Sequence, residues 1–131
     1  MFSTRGRYAL RVMIDLAEHR DEEHIPLKDI AERQGISKKY LEIIVKDLVK
    51  GGLISGVSGK HGGYTLTKSP EKYSVGEVVE LMEGSFAPVA CLEKGAEKCP
   101  RARGCKTVKM WKEFYKIEKD FFFGKKLSDL V

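Results

Sequence analysis

The sequence predicts a mainly α-helical fold with one small β-hairpin, a winged helix–turn–helix unit followed by a long C-terminal helix. Three observations carry this. Two helical segments are joined through the short stretch QGIS (34–37). Directly after them the apolar period changes from about 3.6 residues to about 2, over two short runs separated by GKHGG (59–63). Helical period then returns in an aromatic-rich segment near the C-terminus.

In chain order, Ser3 or Thr4 caps a first helix, whose inner face is Ala9, Val12, Met13, Leu16 and Ala17. Acidic Asp21 to Glu23 end it. IPL (25–27) reads as extended, with Pro26 blocking an early helix start. KDIAERQ (28–34) is a short helix with Ile30 and Ala31 inward and Leu27 packing beside it. Gly35 allows a sharp turn. Ser37 is a good N-cap for the next helix, with Leu41, Ile44, Val45, Leu48 and Val49 inside and Gly51 and Gly52 at its end. LISGVS (53–58) and GYTLTK (63–68) are strands around a glycine-rich tip that tolerates positive φ. SPEKY (69–73) is a turn. Ser74 and Glu77 form a capping box for a helix with Val78, Val79 and Leu81 inside, ended by Gly84. A polar loop follows, and a long helix runs from about Lys106 to Phe122.

The chain has 131 residues, 42% of them apolar and 33% charged, enough for one domain with a real core. No stretch approaches the roughly 18 uninterrupted apolar residues of a membrane helix. Asp15 and Glu18 break the apolar part of the N-terminal segment, and no small-residue cleavage site follows, so a signal peptide is not expected. The expected compartment is the cytoplasm, where thiols stay reduced. His19, His24 and His61 are scattered, and no Ser/His/Asp set, carboxylate pair or phosphate loop points to catalysis.

Net charge is +5, a mild hint of a polyanionic partner. Its distribution says more: Lys38, Lys39, Lys46, Lys50 and Lys60 lie between Ser37 and Gly63, against Glu42 and Asp47. A DNA-reading helix needs polar groups on the outer side of its first turn, and Ser37, Lys38, Lys39, Tyr40 and Glu42 meet that need. Lysines neutralise phosphates, and a carboxylate accepts from cytosine N4. Lys60 and His61 at the hairpin tip can lie on the backbone or in the minor groove. The same lysines also suit a solvated face, Tyr40 can equally pack on the first helix, and Ser37 serves as a cap in either case.

All three cysteines fall in CLEKGAEKCPRARGC (91–105), spaced C-x7-C-x5-C. This matches neither a paired C-x2-C zinc site nor a ferredoxin run. The loop has too little apolar content to bury them, and Lys94, Lys98, Arg101, Arg103 and Lys106 surround them. Positive charge favours thiolates and offsets a thiolate-bound cluster. Spacing alone leaves metal ligation, redox sensing and coincidence open. In the last helix Met110, Phe114, Ile117 and Phe121 form a heptad seam, widened by Trp111 and Phe122, which needs cover from its own domain or a second copy.

STRGRYALRVMIDLA, IPLKDIAERQGISKKYLEIIVKDLVKGGLI, GKHGGYTLTKSPEKYSVGEVVELMEG, the cysteine triad and the final FGKKLSDLV together resemble the IscR, NsrR and CymR family of bacterial winged-helix repressors. The resemblance implies a homodimer through the long helix, presenting two recognition helices to a pseudo-palindromic site in double-stranded DNA. It places Lys38, Lys39, Tyr40 and Glu42 in the major groove and the loop around Lys60 and His61 in the minor groove. Ser58 stands where relatives often carry Arg early in the wing, so sequence preference differs. Cys91, Cys99 and Cys105 match positions that hold an iron–sulfur cluster, [2Fe–2S] before [4Fe–4S]. Relatives that sense cysteine metabolism through a partner enzyme lack this triad. The fourth ligand is unknown: Val108 occupies the position of the usual histidine, and Arg5 to Arg11 contain no acid. Asp15, Glu93, a histidine or an exogenous ligand remain, an open iron being preferred. The expected organisation is a DNA-binding domain over 1–83, a sensor loop over 84–105, and a dimerisation helix with tail over 106–131. The rival readings are a thiol redox sensor or cluster carrier on the same scaffold, and a cluster-free regulator of cysteine or sulfur metabolism.

Overall fold

The computed structural model describes residues 2–131; Met1 lies outside them. Within these residues the order is α1 Thr4–Glu18, α2 Leu27–Gln34, α3 Lys38–Lys50, β1 Ile54–Val57, β2 Gly63–Leu66, α4 Val75–Glu83 and α5 Val108–Gly124. Short 3₁₀ turns lie at Pro70–Lys72, Ala90–Leu92 and Leu127–Leu130.

Ser3 caps α1, its hydroxyl oxygen accepting from the Gly6 N–H at 3.1 Å. Glu83, at the end of α4, accepts from the Ser3 N–H at 2.8 Å and the Ser3 hydroxyl at 2.7 Å, joining the start of one helix to the end of the other. A Cβ on Gly6 would lie 2.4 Å from Glu83 Oε1, so a side chain at this position would push the carboxylate away from Ser3. The expected inner face of α1 is buried throughout.

Helix α2 begins at Leu27, one residue before the expected start. Pro26 is its N-cap residue, where a fixed φ of −61° and a missing N–H cost nothing. Ile25 exchanges backbone hydrogen bonds with Tyr64 at 2.9 and 2.8 Å, which pins the wing to the segment before α2. Gly35, at φ 64°, closes α2 in the left-handed conformation. Ser37 caps α3 by accepting from the Tyr40 N–H at 3.2 Å.

Two residues expected inside are not. Val49 is 40% exposed because Leu41, Ile44, Val45 and Leu48 already fill the inward stripe of α3, and position 49 turns about 100° away from 48. Leu81 is 39% exposed and lies over the C-cap of α3, its Cδ2 2.6 Å from where a Cβ on Gly51 would stand. The buried face of α4 is instead Val75, Val78, Val79 and Met82.

The hairpin is antiparallel, pairing Ile54 with Leu66 and Val57 with Gly63. It is shorter than the 53–58 and 63–68 expected. The buried Tyr73 hydroxyl captures the chain after Leu66, accepting from the Thr67 N–H at 2.8 Å and the Lys68 N–H at 3.2 Å while donating to the Leu53 carbonyl at 2.7 Å. The Ser74–Glu77 capping box is present in full.

Helix α5 buries none of its residues fully. It rests on α4 through Tyr115 and Phe122, which join Val75, Val79 and Phe86 in a small second cluster. Phe86 and Phe122 stack with ring centroids 5.2 Å apart. After α5 the chain returns to the winged unit: the Leu127 N–H donates to the Tyr73 carbonyl at 3.0 Å, and Leu127 is buried in the main core. No helix among the described residues is long and apolar enough to cross a membrane.

Candidate nucleic-acid interface and cysteine loop

The α1–α2–α3 unit is held by a buried polar clamp. Asp15, on the inward side of α1, accepts from Arg33 Nε at 3.1 Å, Arg33 Nη2 at 2.7 Å and Gln34 Nε2 at 2.9 Å. Arg11 donates to the Gln34 side chain at 3.1 Å and also to its main-chain carbonyl. The last residue of α2 is thus tied to α1 just before the turn that launches α3. The hydrogen bond to Asp15 raises the Arg33 pKa above its ordinary value. In the sequence Asp15 is only an interruption of an apolar stretch and a possible distant ligand. With 1% of its side chain exposed and its oxygens engaged, Asp15 is unavailable as a ligand. The signal that could have revealed the clamp was an acid on the inward stripe of one helix and an arginine at the end of the next.

Arg33→Ala leaves that carboxylate buried with one hydrogen bond, from Gln34, and His19 Nδ1 3.8 Å away. The expected loss is about 3 kcal/mol of folding stability, measured by chemical denaturation.

On the outer face, Ser37, Lys38, Lys39, Glu42, Lys46 and Lys50 are all exposed. Asp47 is paired with Arg5 on α1, which leaves Glu42 as the outward acid of this face. Tyr40 is half-buried, its ring edge-on to Tyr8 at 5.7 Å, so most of it braces α1 against α3. A cleft of about 600 Å³ separates α3 from the wing, lined by Lys38, Glu42, Lys46, Val49, Ser58 and Tyr64. Ser58, Lys60 and His61 stand exposed around the hairpin tip. The fold therefore brings Lys38, Glu42 and Ser58 to one cleft, with Lys60 and His61 exposed at the tip beyond it, whereas Ser37, Lys39 and Tyr40 do not line that cleft.

Cys91 is exposed on the turn after α4, Cys99 and Cys105 are half-buried, and all three thiols are free. The Thr107 hydroxyl lies 3.5 Å from Cys105 Sγ. That hydroxyl, the backbone N–H groups of Thr107 and Val108, and the Arg101 charge lower the Cys105 pKa below its ordinary value. The chemistry of this donor set fits a thiolate-held group: soft, accessible ligands, one favoured as thiolate, among basic residues. Among the described residues, no three His, Cys, Asp or Glu side chains are gathered into a preformed metal site. The loop's internal bonds are local turns, such as Ala102 N–H to Cys99 carbonyl at 2.9 Å.

The expected seam of α5 lies open. Met110, Phe114, Ile117 and Phe121 are 48–67% exposed. Phe114, Ile117 and Phe121 line a groove with Phe2, Phe86 and Pro88.

A family model described as "Rrf2: Iron-dependent Transcriptional regulator" matches residues 2–131. The chain belongs to the Rrf2 family. It is 45% identical to Protein rrf2 of Nitratidesulfovibrio vulgaris over 111 residues, 85% of this chain and 73% of that one. Among solved structures it is similar to CymR, the global cysteine regulator of B. subtilis, with a TM-score of 0.79 and 32% identity over 99% of this chain and 95% of that one. It is also similar to T. potens IscR, with a TM-score of 0.77 and 32% identity over 99% and 85% of the two chains. These findings bear out the winged-helix fold and the expected resemblance. The protein is a DNA-binding transcriptional regulator of the Rrf2/IscR type, and its relatives are regulators, not enzymes.

Proposed function

We propose that this Rrf2 regulator is a cytoplasmic, homodimeric repressor whose binding to a pseudo-palindromic DNA site is controlled by an iron–sulfur cluster on Cys91, Cys99 and Cys105. The observation that carries the proposal is the triad itself: three free thiols in one polar, basic loop, directly after α4 and before α5. When bound, the cluster supplies a centre sensitive to oxidants and nitric oxide, and [2Fe–2S] is the preferred type. The chain's own residues hold it as thiolates and offset its negative charge. Residues 1–83 bind DNA, 84–105 sense, and 106–131 bring two copies together through the open α5 seam.

On the DNA side, Lys38 and Lys39 contact phosphates, Glu42 accepts from a base edge, Ser37 and Tyr40 support the first turn, and Ser58, Lys60 and His61 follow the adjacent groove. Binding is expected to weaken steeply with salt, because each lysine–phosphate contact releases a counterion. Lys39→Ala should weaken binding to all duplexes alike and flatten the salt slope by about two, one contact being lost in each half-site. Glu42→Ala should instead relax preference at one position of each half-site, read by selection from random duplexes.

A second reading, a cluster-free regulator of cysteine or sulfur metabolism, is favoured by the ungathered thiols and by the similarity to the B. subtilis cysteine regulator. Anaerobic purification separates the two. Iron and sulfide in matching amounts, with visible absorbance, support the cluster. Colourless, iron-free protein that already binds DNA selectively supports the second reading.

A further inference from the structure

We infer that Ile43 is a base-reading residue of α3, packing against the 5-methyl group of one thymine in each half-site. The inference rests on the reading of α3 as the recognition helix. Lys39, Ile43, Lys46 and Lys50 are spaced 4, 3 and 4 residues apart, so they form one stripe along the helix. Three are lysines. The fourth is an isoleucine that is 53% exposed.

Other exposed apolar residues of the winged unit have a local use. Val49 and Val57 line the cleft beneath the wing, Leu81 covers Gly51, and Phe2 packs edge-on to Phe86 and Phe122. Ile43 belongs to neither apolar cluster of the described residues. It sits next to Glu42, within the second turn of α3, where side chains of a recognition helix reach base edges.

The row of positive charge identifies the occupant. Lys39 on one side and Lys46 and Lys50 on the other suit phosphates, which leaves Ile43 opposite whatever lies between the strands. In the major groove the apolar feature there is the thymine methyl. A β-branched side chain on a helix has one strongly preferred χ1 rotamer, so Ile43 presents its methyl groups with little freedom left to lose.

The test uses the duplex that the unmutated protein selects from random sequences. Each thymine of a half-site is replaced in turn by uracil, which removes only the methyl group. At one position the unmutated protein should lose affinity about fourfold, and about fifteenfold when both half-sites are changed, from the transfer free energy of one buried methyl. Ile43→Ala should bind the thymine duplex about as weakly as the unmutated protein binds the uracil duplex, and should be indifferent to the exchange. Its thermal unfolding should not change, since the side chain supports no core. Uracil exchange that is harmless everywhere, or a loss that persists in Ile43→Ala, overturns the inference while leaving the recognition helix in place. A selection that returns no preferred duplex sinks the recognition reading and this inference with it.

Discussion

Replacing any one of Cys91, Cys99 or Cys105 by serine is expected to leave the purified protein without bound iron and sulfide. A serine hydroxyl is a hard, weakly acidic donor and does not substitute for a thiolate on a soft metal centre. The loop offers little else to hold a cluster, because the segment from Ala90 to Thr107 contributes nothing to either apolar cluster. Two remaining thiols on such a segment cannot enclose the group. For the same reason the variants should fold and melt like the unmutated protein freed of its cluster, which separates ligand loss from misfolding. By contrast, Glu93→Gln and alanine in place of His19, His24 or His61 should each retain the cluster, as an open or exogenously held iron requires. Val108 is apolar, and Asp15 is committed to Arg33 and Gln34. Anaerobic visible spectra with iron and sulfide determination check the whole set. A single histidine or carboxylate whose loss removes the cluster as fully as losing a cysteine would show that the protein supplies all four ligands.

The second large effect is expected at the open face of α5. Phe114→Asp places a carboxylate in the middle of the seam formed by Met110, Phe114, Ile117 and Phe121, and in a two-fold dimer it does so twice. Burying an unpaired carboxylate costs several kcal/mol, enough to convert a micromolar-stable dimer into monomer. Phe114 is 48% exposed in the single chain, so the substitution should spare the fold of the protomer. Sedimentation at micromolar concentration should show a dimer for the unmutated protein and a monomer for Phe114→Asp. A monomeric unmutated protein would remove the seam from the account.

Much of the fold was legible because its signals are local. Ser3, Ser37 and the Ser74–Glu77 pair announce helix starts through their own side chains, and Gly35 and Gly84 announce ends through their conformational freedom. The inward stripes of α1 and α3 follow from period alone. What was missed depends on partners distant in sequence. Val49 and Leu81 sit at the margins of their stripes, and only the third dimension shows that both stay exposed. The early end of β2 depends on one tyrosine hydroxyl, and the anchoring of the wing on the Ile25–Tyr64 pair. The Asp15 clamp joins residues 18 and 19 positions apart, invisible to any periodicity. At the candidate site the residue types and their order were readable, and the packing of Tyr40 on α1 was one of two open readings, whereas the exposure of Ile43 was not legible. The cysteine spacing offered three candidate ligands without their arrangement, because a polar loop has no core to impose one.

The most direct test compares one anaerobic preparation of the dimer on its selected duplex before and after removal of the cluster. Control by the cluster is a coupling between two sites, and such couplings change affinity by about 5- to 150-fold. The account predicts a change of that order, with the three cysteine variants behaving as the cluster-free form whatever the iron supply. Equal affinity and equal sequence preference in both forms would contradict it and leave a regulator whose DNA binding does not depend on iron and sulfide.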